Sequence, residues 1–210
     1  MNNEPGVLYG LVRRSFLVAA APLFRFRVHG RERVPSTGPG IVVALHRSWL
    51  DPPCLGGACP RPLSFLTLRS VYQKPWGRWF YRRMGALPVD PDGSTSLRSL
   101  REAMRRLQRG GLLGVFPEGR VVAGGIQGTI HPGAAVLSVR TGAPVIPAMI
   151  RGSARAWPHG RRYPLPAPVQ VDFGPPISPP AASGEKAVQE MLQRIEDNLC
   201  NPRWIRGDAP

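Results

Sequence analysis

Two short runs, IVVAL (41–45) and LLGVF (112–116), contain no polar residue at all. A strand with one face in water alternates polar and apolar positions, whereas a run that is apolar throughout is covered on both faces. A sheet made of such strands needs helices against each side, which is the layering of α/β proteins with parallel strands. The segments between the runs supply them. In STSLRSLREAMRRLQRGG, Leu97, Leu100, Met104 and Leu107 recur at three- and four-residue steps, while Arg98, Arg101, Arg105 and Arg106 take the other faces. Ser94 and Thr95 stand at its start and Gly110-Gly111 at its end. PGAAVLSVRTG is a second helix opened by Pro132 and closed by Gly142. GEKAVQEMLQRIEDNL is the last, with Val188, Met191, Ile195 and Leu199 directed inward.

Further strands are expected in FRFRVHG (24–30), PLSFLTL (62–68), APVIPAMIRG (143–152) and PVQVDFG (168–174). The first alternates, with Phe24, Phe26 and Val28 on one face and Arg25, Arg27 and His29 on the other. KPWGRWFYRRMGALPV reads as a helix up to Gly85 followed by a short strand. The expected fold is α/β: a single domain with a mostly parallel central sheet flanked by helices, preceded by a short N-terminal interfacial helix. The division falls at residues 1–22 for that helix and 23–210 for the domain.

In the N-terminal LYGLVRRSFLVAAAPLF, only about ten residues separate Arg14 from Arg25. That is short for an export signal, and a spanning helix needs about 20 apolar residues. An amphipathic helix lying in the plane of a lipid surface fits better. Val7, Leu8, Leu11, Val12, Phe16 and Leu17 would form its apolar side, with Arg13 and Arg14 placed to meet phosphates. The net charge of +15 points to an anionic partner, either a lipid surface, phosphorylated small molecules or nucleic acid. All but two of the 28 basic residues are Arg. The three cysteines, Cys54, Cys59 and Cys200, make neither a disulfide framework nor a zinc site. No metal is expected.

Each buried run ends in polar residues. IVVAL leads into His46, and Asp51 follows in HRSWLD. An imidazole in the strand-to-helix turn can be met by a carboxylate folded back from one turn into the helix that follows. Such a carboxylate accepts the Nδ1 proton and leaves Nε2 free as a base. A histidine capped by a helix-starting Asp has the same spacing with no chemistry at all. LLGVF leads into Pro-Glu-Gly-Arg, which would bring Glu118 and Arg120 to the same sheet edge. An Arg there can hold a phosphate through two parallel hydrogen bonds, and Gly119 lets the backbone approach a ligand closely. The chain contains no Gly-x-Ser-x-Gly elbow and no cysteine in an activating context. Ser48 reads as support for the turn. A base without an enzymic nucleophile suits activation of a hydroxyl carried by a substrate.

Four blocks, in order, resemble the glycerolipid acyltransferases typified by bacterial 1-acylglycerol-3-phosphate acyltransferase. They are HRSWLD, LRSVYQKPWGRWFYRRMGALPVD, FPEGR and GAPVIPAMIRGS, together covering roughly residues 24 to 152. The resemblance implies an acyltransferase domain over 23–210 that moves a fatty acyl group from an acyl-CoA or acyl-carrier-protein thioester to a lysophospholipid hydroxyl. It implies that His46 deprotonates the acceptor and Asp51 orients His46. Arg69 and Arg120 would bind the acceptor phosphate, while Glu118 would contact the glycerol or fix its loop. No cofactor is implied beyond the acyl donor, and the expected location is the cytoplasmic face of the membrane. Leu45 stands where the family commonly has Asn, Arg120 follows Gly119 without the usual Thr, and Pro91 replaces an Arg. A different polar lipid hydroxyl therefore stays open as the acceptor. Two rival readings are a hydrolase in which His46 activates water and a nucleic-acid binder built on the basic, aromatic WGRWFYRR. The latter lacks any helix-turn-helix, RNP or zinc-finger pattern.

Overall fold

The computed structural model describes residues 6–75, 77–89, 97–122 and 128–205. In chain order these form α1 (Val7–Phe24), β1 (Arg27–His29), β2 (Gly40–Ala44), α2 (Asp51–Ala58), β3 (Leu63–Leu68) and α3 (Arg69–Tyr72). Then come α4 (Gly77–Arg83), β4 (Leu87–Val89), α5 (Leu97–Gln108), β5 (Leu112–Val115) and α6 (Gly133–Thr141). The chain continues through β6 (Val145–Arg151), α7 (Ser153–Ala156), β7 (Gln170–Phe173) and α8 (Glu185–Cys200). Ser94, Thr95 and Pro91 lie outside the described residues.

The strands make one seven-stranded sheet in the order β1-β7-β6-β2-β5-β3-β4. β6, β2, β5, β3 and β4 run parallel. β7 turns back antiparallel to β6, and β1 lies parallel to β7 at the edge. The expected single α/β domain with a mostly parallel, helix-flanked sheet is therefore the observed one.

The apolar runs are explained by where their side chains go. β2 is the middle strand, and all five of its residues are buried. Val42 and Ala44 join Leu63, Leu112 and Ile146 in a core closed by Ala20 and Phe24 of α1 and by Cys54, Leu55 and Ala58 of α2. Ile41 and Val43 face the other way, into a core with Ala103 and Leu107 of α5, Ala134 and Leu137 of α6, and Met191, Ile195 and Leu199 of α8. Both layers are needed, and the strand cannot alternate.

The N-terminal helix differs from its expected form. It runs through Phe24, past the boundary set at residue 22, and ends where Arg25 adopts a left-handed conformation with φ 41°. Phe24 is thus a buried helical residue and not the start of the first strand, which begins at Arg27. Its apolar residues divide between two sides. Tyr9, Ala20 and Phe24 are buried, while Val7, Leu11 and Val18 stand exposed. Arg13 also points inward. Its Nε donates to Gly56 O at 3.2 Å, and Nη2 donates to Gly57 O at 3.2 Å and Cys59 O at 2.7 Å. These are carbonyls at the C-terminal end of α2, which a cation favours. The contact is close because Gly56 and Gly57 lack side chains. A Cβ at Gly57 would lie 3.1 Å from Phe16 Cδ1 and 3.2 Å from Leu17 Cδ2.

Arg106 is a second departure. Its helix periodicity suggests an outward face, yet it is buried, with Nη1 donating to Ser64 Oγ at 2.6 Å and to Gly85 O at 3.3 Å. Its stem lies against Gly111, where a Cβ would come within 2.8 Å of Arg106 Cγ, while the guanidinium satisfies groups of β3 and the loop before β4.

Arg61 ties the other end of the central strands, where they begin. Its Nε donates to Pro35 O at 2.9 Å, Nη1 to Gly110 O at 2.6 Å, and Nη2 to Gly38 O. One planar fork thus holds the loops entering β2 and β5. Arg61→Ala leaves three carbonyls without this donor and should lower stability by about 1–3 kcal/mol. The change should appear as a reduced urea midpoint at unchanged slope. An unaltered midpoint would contradict the structural role.

Candidate active site

His46 continues the row of β2 side chains that faces α2, since alternate residues of a strand share a face. Its imidazole is 12% exposed, and the Asp51 side chain is fully buried. Nδ1 of His46 lies 3.0 Å from Oδ2 of Asp51. The same oxygen accepts the backbone N–H of Arg47 at 2.6 Å and of Ser48 at 2.7 Å. That oxygen thus serves two backbone N–H donors and also faces Nδ1, an arrangement that would hold a proton on Nδ1 and leave Nε2 open. Asp51 is the first residue of α2, not one turn into it. Pro52 and Pro53 suit that first turn, and the helix dipole favours an anion at its start. Asp51 Oδ1 is buried without a hydrogen-bond partner.

The Pro-Glu-Gly-Arg turn after β5 closes over the same point. Glu118 Oε2 accepts the backbone N–H of His46 at 2.7 Å. Its Oε1 accepts the Gly128 N–H at 3.3 Å and lies 3.5 Å from Arg47 Nη1. Two residues beyond Arg120, Val122 N donates to His46 O at 2.8 Å. His46 is therefore gripped through both its backbone polar groups by one turn. Glu118 is buried and fully committed to that grip, so of the two roles open to it, holding the loop is the one its contacts describe. Gly119 takes φ +67°, a conformation that a side chain would strain. Arg120 follows it, exposed.

An aromatic column stands beneath the imidazole. The Phe116 ring stacks on His46 at 4.3 Å between centroids and an interplanar angle of 23°. Phe65 stacks in turn on Phe116 at 5.9 Å and 4°. The nearby nucleophile candidates are otherwise engaged. Ser48 Oγ is buried, donating to Trp157 O at 2.9 Å and accepting the Leu50 N–H at 3.2 Å. Burial pushes the Cys54 thiol well above its ordinary range, with the adjacent Asp51 charge adding to it. Burial also raises Cys59, to about 12, keeping it protonated. Among the described residues no group of three or more His, Cys, Asp or Glu is placed to hold a metal.

Arg69 begins α3, directly after β3, at the same end of the sheet. With Tyr72, Gln73, Arg78 and Pro88 it lines a groove of 440 Å³. β3 is separated from β2 by β5, so Arg69 stands two strand spacings, about 10 Å, from the strand that carries His46. His46, Asp51, Glu118, Gly119 and Arg120 thus form one cluster, and Arg69 belongs to its flank. Three participants are missing from the expected set. Arg47 pairs with Glu118, Phe116 stacks on His46, and Trp157 O anchors Ser48. Arg47 and Phe116 sit inside motifs already singled out, but nothing in a linear pattern says that either will touch another block.

This geometry has counterparts. The family model described as Acyltransferase matches residues 25–151. A 1-acyl-sn-glycerol-3-phosphate acyltransferase of Pseudomonas aeruginosa is 27% identical over 82% of this chain and 66% of its own length. A lyso-ornithine lipid O-acyltransferase of the same organism is 32% identical over 64% of this chain and 50% of its own. The crystal structure of the 1-acyl-sn-glycerophosphate (LPA) acyltransferase of Thermotoga maritima superposes with a TM-score of 0.74 at 25% identity. That match covers 90% of this chain and 76% of that one. The chain spans between 40% and 66% of the length of the first three curated relatives it matches. Since the family model covers more than half of the residues, including both strand-end motifs, the chain belongs to the Acyltransferase family.

Proposed function

We propose that this protein is an O-acyltransferase that moves a fatty acyl group from a thioester donor, acyl-CoA or acyl-carrier-protein, to the hydroxyl of a lysophospholipid. The acceptor is of the 1-acylglycerol-3-phosphate kind, and the product is phosphatidic acid. The observation that carries the reading is the His46 Nδ1–Asp51 Oδ2 pair at the end of a buried strand, with Nε2 left as base and no activated nucleophile beside it. Nε2 takes the acceptor's hydroxyl proton as its oxygen attacks the thioester carbonyl. The C–S bond breaks as the tetrahedral intermediate collapses, and the imidazolium returns the proton to the leaving thiolate. Asp51 holds the ring and stabilises the imidazolium. Glu118 positions His46 through its backbone N–H. Arg120 meets the acceptor phosphate, and Arg69 contributes from the flanking groove.

A second acceptor has support from the 32% identity to a lyso-ornithine lipid O-acyltransferase. That lipid lacks a phosphate, and a panel of lysolipids with labelled acyl-CoA distinguishes the two. The proposed location is peripheral, on the cytoplasmic face of the cell membrane. No helix among the described residues is long and apolar enough to cross a membrane. The exposed Val7, Leu11 and Val18 on α1, with the exposed Arg14 between them, would meet an anionic lipid surface.

His46→Ala should lower acyl transfer by about two to four orders of magnitude while the far-UV spectrum stays that of the parent. Near-normal turnover would end the assignment. Arg120→Ala should raise KM for 1-acylglycerol-3-phosphate about tenfold, the equivalent of one charge-assisted hydrogen bond, with little change in kcat. Leu11→Asp combined with Val18→Asp should abolish co-sedimentation with phosphatidylglycerol vesicles, and unchanged binding would remove α1 from the lipid contact.

A further inference from the structure

His131 is absent from every motif considered so far, yet it stands at the Pro-Glu-Gly-Arg turn. Its backbone N–H donates to Pro117 O at 2.9 Å, which fixes it on the turn. Its ring lies alongside Gly119. A Cβ built at that glycine would be 3.8 Å from Cδ2 and 4.0 Å from Nε2 of His131. The imidazole is half-buried, and among the described residues no hydrogen bond or ion pair engages its nitrogens. On the other side of Gly119 comes Arg120, exposed. The one carboxylate of the turn, Glu118, is sealed below with its oxygens turned to His46, Arg47 and Gly128. One nitrogen-bearing side chain thus lies against Gly119 and a second, exposed one follows it directly in the chain, with no free carboxylate on the turn to compete for them.

From this juxtaposition we infer that His131 is a second anion-binding residue of the acceptor site, holding the acceptor's phosphate monoester together with Arg120. The inference rests on the acyl-acceptor reading above and deepens it, because it assigns the acceptor class. An imidazole offers an N–H donor in either protonation state, and Arg120 contributes a charged fork. β5 is the immediate neighbour of β2, about 5 Å away. That spacing suits an acceptor whose hydroxyl and phosphate sit on adjacent carbons. A lysolipid without the phosphate would leave both side chains unused.

The experiment compares wild type, His131→Ala and His131→Arg in two ways. The first is steady-state acyl transfer to 1-acylglycerol-3-phosphate and to a monoacylglycerol of the same chain. The second is binding of inorganic phosphate by calorimetry, which needs no reaction. His131→Ala should raise KM for the phosphorylated acceptor about tenfold at a kcat within twofold of wild type, and weaken phosphate binding by a similar factor. His131→Arg should restore both, and the monoacylglycerol kinetics should not change. An unchanged KM and unchanged phosphate affinity in folded His131→Ala would overturn the inference. So would a loss confined to kcat, which would mark His131 as a support for the turn. Phosphate binding that depends on His131 in a protein that acylates no lysolipid would sustain the site and overturn the reaction assigned to it.

Discussion

Two buried carboxylates hold the site together, and the rest of the architecture serves to place them. Asp51 gathers the Nδ1 of His46 and two successive backbone N–H groups on one oxygen, while Glu118 reaches across from the neighbouring strand to the His46 N–H. Neither has appreciable contact with water. A buried carboxylate is costly unless donors surround it, and here the donors are mostly backbone groups whose positions the sheet dictates. Parallel strands deliver their C-terminal ends to one edge, so the donors of β2 and the acceptor from β5 arrive together without any long connection.

The overall charge complements this arrangement. A chain of +15 keeps its site carboxylates inside and leaves basic residues such as Arg14, Arg78 and Arg120 outside. An approaching anion meets attraction at long range, and the two site carboxylates are withdrawn from its path into contacts with His46 and its neighbours. Not every arginine serves that field. Arg13, Arg61 and Arg106 spend their guanidinium groups on backbone carbonyls and a serine hydroxyl.

Much of the fold was legible because local pattern and tertiary demand agree. The IVVA run is buried on both faces, Met191, Ile195 and Leu199 point inward, and Pro132 and Gly142 flank α6 as their chemistry suggests. The His46–Asp51 contact was legible too, because turn geometry brings five-residue neighbours together. What escaped depends on contacts distant in sequence. Arg13 could not be distinguished from Arg14 without the carbonyls of α2, which lie more than 40 positions away. Arg106 carries the periodicity of an outward residue, but the Ser64 hydroxyl, 42 positions earlier, draws it in. Phe24 alternates correctly for a strand and is nevertheless helical, since burial in the core between the sheet, α1 and α2 outweighs a two-residue rhythm.

The junction between the first two helices has a mechanical meaning. α2 begins with Asp51 and is clasped at its far end by Arg13, and eight residues of helix measure about 12 Å. Tyr9 adds a second rivet, its hydroxyl accepting the Leu63 N–H at 3.1 Å. Val7, Leu11 and Val18 are therefore joined to the carboxylate by a short rod instead of a tether. The imidazole therefore keeps a set height and tilt relative to the plane that those three side chains define, and any surface that met them would stand at one depth from it.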